Sequence, residues 1–83
     1  MGNKGYQAIV EKIISDGRHG PYAVARSEKL SGSVTFSLDP KVWQGDDWPV
    51  PGTCVMLLQV RKKRAGWFAN QARFVEPEDE QQL

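Results

Sequence analysis

Turn-forming residues divide this chain into short segments, and their spacing constrains the fold more than any other feature. Glycine and proline mark turns at residues 17–21, 31–32, 39–40 and 51–52, so few stretches are long enough for a helix. The one candidate is Tyr6–Ile14. Four of its apolar residues are β-branched, which favours a strand with a bulge over the alternative, a short helix.

Four later segments have strand character. The clearest is 33–38, where apolar and hydroxyl side chains alternate, and the other three are 22–26, 53–60 and 67–75; we expect residues 61–66 to close a hairpin. Five short strands with a long connection between the third and the fourth predict an all-β fold. The favoured architecture is a small five-stranded OB-type Greek-key barrel, and an SH3-like barrel is the alternative.

The length of 83 residues allows one domain. We assign residues 1–75 to a single β-barrel domain and residues 76–83 to an acidic, disordered tail. No apolar run approaches the length of a membrane span, and no signal-like segment follows the N-terminus. With one cysteine in the chain, we expect no internal disulfide and a reducing, cytoplasmic location. We also expect a monomer.

The net charge of +1 conceals an uneven distribution. Residues 1–75 hold 11 basic and 6 acidic side chains, a balance of +5, whereas residues 76–83 carry four acidic side chains and no basic one. The basic run Arg61, Lys62, Lys63 and Arg64 is the only run of four like charges. Such a run is typical either of a nucleic-acid patch or of a solvated hairpin loop.

Three short motifs resemble the cold-shock and S1-type branch of the OB-folds. Residues 34–37 (Val-Thr-Phe-Ser) resemble the end of that family's third-strand motif, residues 51–55 its entrance to strand four, and residues 66–72 its start of strand five. The resemblance implies an OB barrel that binds single-stranded nucleic acid. Residues 19–24 stand where the family has Lys-Gly-Phe-Gly-Phe-Ile, so only Tyr22 of its aromatic pair is present.

A site for a nucleic-acid strand needs aromatic rings on which bases stack and cations along the backbone path. The candidates on the second, third and fifth strands and in the adjoining loops are Tyr22, Phe36, Trp67, Arg18, Lys29, Arg61, Lys62, Lys63, Arg64 and Arg73. We expect them to bind single-stranded RNA or DNA weakly and in a salt-dependent way.

Strand alternation predicts which of these aromatic rings face outward. Tyr22 shares its position in the alternation with Arg26, and Trp67 shares its position with Arg73, so both rings are expected on the surface. Phe68, a further aromatic candidate, is adjacent to Trp67 and points to the opposite face, so it is expected in the core. Phe36 shares a face with the apolar residues of its strand, which favours the core unless a bulge releases it.

Trp43 and Trp48 lie in the long connection, and we expect both to close an end of the barrel, since tryptophan is costly to leave in water. The alternative function is a protein-interaction barrel, in which these two residues form an exposed aromatic patch for a partner.

We expect no enzymatic activity, cofactor or metal. His19 is the only histidine, so it has no second imidazole with which to share a metal ion. Cys54 lies in an apolar strand, where a thiol is usually inert packing. No glycine-rich phosphate loop joins a strand to a helix.

Overall fold

The computed structural model describes residues 5–64 and 66–76, which form five strands. The strands are β1 (Tyr6–Ile14), β2 (Tyr22–Arg26), β3 (Ser33–Ser37), β4 (Cys54–Lys63) and β5 (Gly66–Phe74). They close into a barrel in the order β1-β2-β3-β5-β4. All neighbours are antiparallel except β3 and β5, which run parallel. The predicted all-β fold, a small five-stranded barrel of the OB type, is confirmed.

Strand β1 pairs with two neighbouring strands, one along each half of its length. Its first half pairs with β4, and its second half pairs with β2. The register with β2 shifts between Val10 and Lys12, which is the effect of one extra residue in a strand. The predicted bulged strand is therefore confirmed, and the helical alternative is wrong.

The barrel interior alternates large and small side chains. Val34 and Phe36 of β3 point inward and are fully buried, while the neighbouring strands contribute the small residues Ala23, Ala25, Ala69 and Ala72. In a barrel of only five strands the interior has no room for large side chains from every strand. The alanines therefore let β2 and β5 approach closely around the Phe36 ring.

Trp43 closes one end of the barrel, as predicted. The backbone N–H groups of Val42 and Trp43 both donate to the Asp39 carbonyl at 2.8 Å, making a single helical turn. This turn places the indole 5.8 Å from the Phe36 ring and 4.9 Å from the Phe74 ring, centroid to centroid. Its N–H donates to the Asp47 carbonyl at 2.8 Å, so the buried polar group is satisfied.

Trp48 does not help to close the barrel, contrary to prediction. Its side chain is 48% exposed, and the following Pro49 is the residue of that segment buried in its place. The sequence interpretation treated the two tryptophans alike because size alone favours burial of each. Trp43 and Pro49 are the residues of this part of the segment that are buried, and Trp48 between them lies on the surface.

Strands β4 and β5 form an arm that is longer than predicted. Strand β4 continues through Arg61, Lys62 and Lys63, and only Arg64 lies in the turn. The expected hairpin loop over residues 61–66 is therefore wrong in extent: three of its cations belong to a strand. Because successive strand residues point to opposite faces, these cations are divided between two surfaces.

In both strands of the arm, the regular alternation between residues that face the barrel interior and residues that face solvent is interrupted once. Leu57 and Ala72 face each other across the arm and are buried, and the next inward pair is Val60 and Ala69, three residues on in each strand. Between these pairs Gln59 has a φ of 55°, a left-handed conformation rare for a non-glycine residue. As a result, the residues at the start of β5 point to the faces opposite to those that an uninterrupted alternation from Ala72 would give.

The predicted acidic tail lies outside the described residues except for Glu76. The Glu76 carboxylate lies 3.9 Å from the Arg73 guanidinium. Within the part of the chain that the structure describes, no helix is long and apolar enough to cross a membrane.

Candidate nucleic-acid interface

A groove of about 400 Å³ lies on the outer surface of β2, β3 and β5, next to the β1–β2 loop. Its walls combine aromatic rings with small hydroxyl side chains. The lining residues are His19, Gly20, Pro21, Tyr22, Thr35, Phe36, Ser37 and Phe68. The volume is near the lower end of the range typical of small-molecule sites, and the groove is partly open to solvent.

Strand pairing sets the groove residues in two rows across the sheet. Val24 lies opposite Thr35, and Thr35 in turn lies beside Phe68. Tyr22 lies opposite Ser37 in the second row. Because outward residues alternate with the buried ones, the same register that fills the core also brings Tyr22 and Phe68 to one surface.

The β1–β2 loop holds Tyr22 at one side of the groove. Gly20 N–H donates to the Gly17 carbonyl at 3.1 Å and closes a tight turn. A methyl group added at Gly17 would lie 2.9 Å from Cδ1 and Cε1 of the Tyr22 ring and 2.6 Å from the Gly20 carbonyl oxygen. The loop backbone therefore packs directly on the tyrosine ring, which fixes its orientation.

Thr35 and Ser37 form the floor of the groove. The Ser37 hydroxyl accepts a hydrogen bond from the Asp39 backbone N–H at 3.0 Å, so its own proton remains available to a ligand. Short hydroxyl side chains leave space above the sheet and can both donate and accept hydrogen bonds. A planar ligand ring could therefore place its polar edge against these hydroxyl groups and its faces against the aromatic side chains.

Phe36, predicted as a stacking residue, lies beneath this floor. It is fully buried, and its ring stacks on Trp43. No bulge interrupts the pairing of β3 with β2, so the alternation that favoured the core holds. Phe36 supports the groove from inside, and it offers no face to a ligand.

The expected orientation of Trp67 and Phe68 is reversed. Trp67 lies beside inward-facing Val34 and packs against the core, and its indole N–H donates to the Ser31 carbonyl at 2.8 Å. Phe68 lies beside outward-facing Thr35 and lines the groove. The prediction compared Trp67 with Arg73, and the phase change between them made that comparison invalid.

The basic run is divided between the two surfaces of the arm. Arg61 lies opposite Phe68 on the groove side, and the Lys63 ammonium lies 4.5 Å from the centroid of the Phe68 ring. Lys62 points the other way, with its ammonium 5.5 Å from the Trp67 centroid. Only Arg61 and Lys63 of the run therefore share a face with the groove.

The remaining predicted cations lie at different distances from the groove. Arg18 is exposed in the β1–β2 loop, adjacent in sequence to the lining residue His19. Lys29 is exposed in the β2–β3 loop, on the side where Ser31 contacts Trp67. Arg73 lies at the far end of β5, where it bonds the Phe74 carbonyl and contacts Glu76.

Several groove residues were missed by sequence reasoning. Thr35, Ser37 and His19 line the groove but were not proposed as binding residues, and Phe68, an aromatic candidate, was expected in the core instead. The signal for Phe68 was the neighbouring Ala69, because small residues mark the interior of a narrow barrel. Taking Ala69 as inward would have placed Phe68 outward.

The structure also locates the potential metal ligands and the single thiol. Among residues 5–64 and 66–76, no group of three or more His, Cys, Asp or Glu side chains could hold a metal ion. The thiol of Cys54, expected to be packed inside, belongs to an exposed residue, because it lies opposite outward-facing Ile9 at the start of β4.

Comparison with protein-family models, with curated proteins and with solved structures finds no match to this chain. The functional interpretation therefore depends on the barrel topology and on the geometry of the groove. In OB-type barrels the surface of strands two and three, with the β1–β2 and β4–β5 loops, is where oligonucleotides and oligosaccharides bind. The groove occupies that surface.

Proposed function

We propose that this protein is a non-catalytic module that binds single-stranded nucleic acid, most readily RNA, in the groove between Tyr22 and Phe68. The observation that carries the proposal is the coincidence of aromatic walls and cations on one surface: Lys63 lies over Phe68, and Arg61 lies opposite it. Bases stack on aromatic faces, and lysine and arginine neutralise the phosphates between them.

The groove residues match the separate requirements of such a ligand. Tyr22 and the Phe68 face that Lys63 does not cover would contact base faces, and the hydroxyl groups of Thr35 and Ser37 would contact base edges or a ribose 2′-OH. Arg18 at the loop and Lys63 at the arm would meet the backbone on opposite sides. With few cations directly at the groove, we expect modest affinity.

The proposed function is related to that of cold-shock domains. Supporting this relation are the OB-type barrel and the sequence of residues 34–37. This chain differs from the cold-shock pattern in having Ser33 and Thr35 where that pattern has an aromatic residue and histidine. Stacking on β3 is therefore absent here, and Phe68 of β5 supplies the second ring.

The direct test is an anisotropy titration of labelled ten-nucleotide uridine and thymidine strands at low and moderate salt. We expect Phe68→Ala to weaken binding by about 5- to 150-fold, corresponding to about 1–3 kcal/mol for one stacked base. Trp48→Ala, which removes an exposed aromatic outside the groove lining, is the matched control and should leave the affinity unchanged. Failure of the wild type to bind below about 100 µM at low salt would overturn the proposal.

A second candidate function is protein interaction through Trp48. Trp48 is 48% exposed and Val50, two residues on, is 61% exposed, so the β3–β4 segment presents two large apolar side chains to solvent. Trp43 is buried and contributes nothing to such a patch. This candidate predicts a Trp48→Ala protein that stays folded, binds oligonucleotides normally and loses a protein partner.

A further inference from the structure

The β4–β5 arm carries two lysine–aromatic pairs on its opposite surfaces. The Lys63 ammonium is 4.5 Å from the Phe68 centroid, and the Lys62 ammonium is 5.5 Å from the Trp67 centroid. The two lysines are adjacent in sequence, have the same charge and are both exposed. Only the Lys63 pair belongs to the groove, since Phe68 lines it and Trp67 does not.

We propose that Lys63 determines the ligand class of the groove, because Phe68 holds its ammonium where the phosphodiester beside a stacked base would lie. The inference depends on the proposed function and makes it more specific. It assigns selection for an anionic backbone to one residue, instead of to the diffuse charge of the basic run.

Among the described residues, no carboxylate forms an ion pair with Lys63. Within residues 5–64 and 66–76 the two ion pairs involve other cations, Arg26 with Glu11 and Arg73 with Glu76. The ring face attracts the ammonium and restricts a flexible side chain to the margin of the groove. A phosphate arriving there gains a charge-assisted hydrogen bond without competing against an existing ion pair.

The same arrangement disfavours neutral ligands. The hydroxyl floor and aromatic walls would also suit a sugar or an uncharged planar ring, as OB-type surfaces do elsewhere. Such a ligand would displace water from the ammonium and return no compensating charge. Lys63 therefore separates nucleic acid from oligosaccharide on a surface whose other groups could bind either.

The test compares two probes and two variants. The probes are thymidine hexamers with ordinary phosphodiester linkages and with neutral methylphosphonate linkages, titrated at one fixed salt concentration. We expect Lys63→Gln to weaken phosphodiester binding about tenfold, as for loss of one charged contact, and to leave methylphosphonate binding unchanged or stronger by no more than about twofold. Lys62→Gln removes the same charge from the opposite surface and should change either affinity by no more than about twofold. Lys63→Arg should retain the preference.

The outcomes separate this inference from the proposed function. If the wild type binds the phosphodiester hexamer and the two glutamine variants weaken it equally, the inference is overturned and the proposed function stands. The same holds if Lys63→Gln weakens both probes to the same degree. If the wild type binds neither probe, the proposed function fails, and this inference fails with it.

Discussion

The β1–β2 loop (residues 15–21) and the β3–β4 segment (residues 38–53) are both built from glycine, proline and turns, but they pack on opposite sides of the barrel wall. Gly17 in the first approaches the Tyr22 ring on the outside. Gly45 in the second approaches the Trp43 and Phe74 rings at the end of the barrel. A close glycine–aromatic contact thus shapes a surface in one region and completes the core in the other.

This difference teaches that turn composition does not reveal a loop's role, whereas the direction of its anchoring aromatic residue does. Tyr22 points outward from the start of β2, so the loop before it builds a groove. Trp43 points inward, and its segment bonds to β5, with Gln44 N–H donating to the Ala72 carbonyl at 2.9 Å and Ala72 N–H donating to the Val42 carbonyl at 3.0 Å. Substitutions in the two regions should therefore separate stability from binding.

The largest effect is expected for Trp43→Ala. Removing a ring that contacts Phe36 and Phe74 leaves a cavity at the barrel end, and such substitutions cost about 3–5 kcal/mol. The measurement is urea denaturation followed by circular dichroism. Because this loss approaches the whole stability of a small domain, Trp43→Phe, with a smaller cavity and an intermediate loss, keeps the test quantitative. An unchanged midpoint in Trp43→Ala would show that Trp43 does not close the core.

Gly45→Ala should have the next largest effect. The added methyl group would lie 2.7 Å from atoms of both the Trp43 and Phe74 rings, and overpacking of this kind costs about 1–3 kcal/mol. The denaturation midpoint should fall, while amide shifts of the groove residues stay near their wild-type values. Large shifts at Tyr22 or Phe68 with normal stability would contradict the division between the two regions.

Gly17→Ala makes the reciprocal test. Its methyl group would contact the Gly20 carbonyl and the Tyr22 ring. Because the loop lies on the surface, we expect a loss of about 1 kcal/mol, at the low end for overpacking. Displacement of the tyrosine should reduce oligonucleotide affinity several-fold in the anisotropy titration. Wild-type affinity would mean that Tyr22 does not contact the ligand.

Trp48→Ala should have the smallest effect on stability, within about 0.5 kcal/mol, as for most exposed positions. Trp48 lies in the same segment as Trp43 and is the same type of residue, so the difference between the two alanine variants reports the effect of burial alone. A loss comparable with that of Trp43→Ala in the denaturation experiment would refute the assignment of Trp48 to the surface.

The positions of the strands were predictable from this sequence because turn residues and alternation act locally. Strand β2 was predicted at its observed bounds, and β3 and β5 to within one residue at each end. The bulge in β1 followed from its β-branched residues. These features depend on a few neighbouring residues, which the sequence displays directly.

The groove was less predictable because it depends on which face each residue points to, and that in turn depends on how strands far apart in the sequence pair. The phase change beside Gln59 reverses which of Trp67 and Phe68 faces outward, and glutamine gives no sign of a left-handed conformation. The extent of β4 was hidden too, since a run of four cations resembles a loop. The division of Lys62 and Lys63 between two surfaces follows only once that run is known to be a strand.

The parallel pairing of β3 with β5 also means that the barrel cannot close until β5 has been synthesised. Val34 meets Trp67 and Trp43 bridges to Ala72, so the barrel wall and its closed end are both completed by the last strand synthesised. A chain synthesised only as far as β4 therefore lacks the strand that pairs with β3 and closes the barrel around Phe36. Contacts of such long sequence separation slow folding and expose apolar surface to aggregation. A shortened chain ending before β5 should consequently depend on chaperones, although it retains four of the five strands.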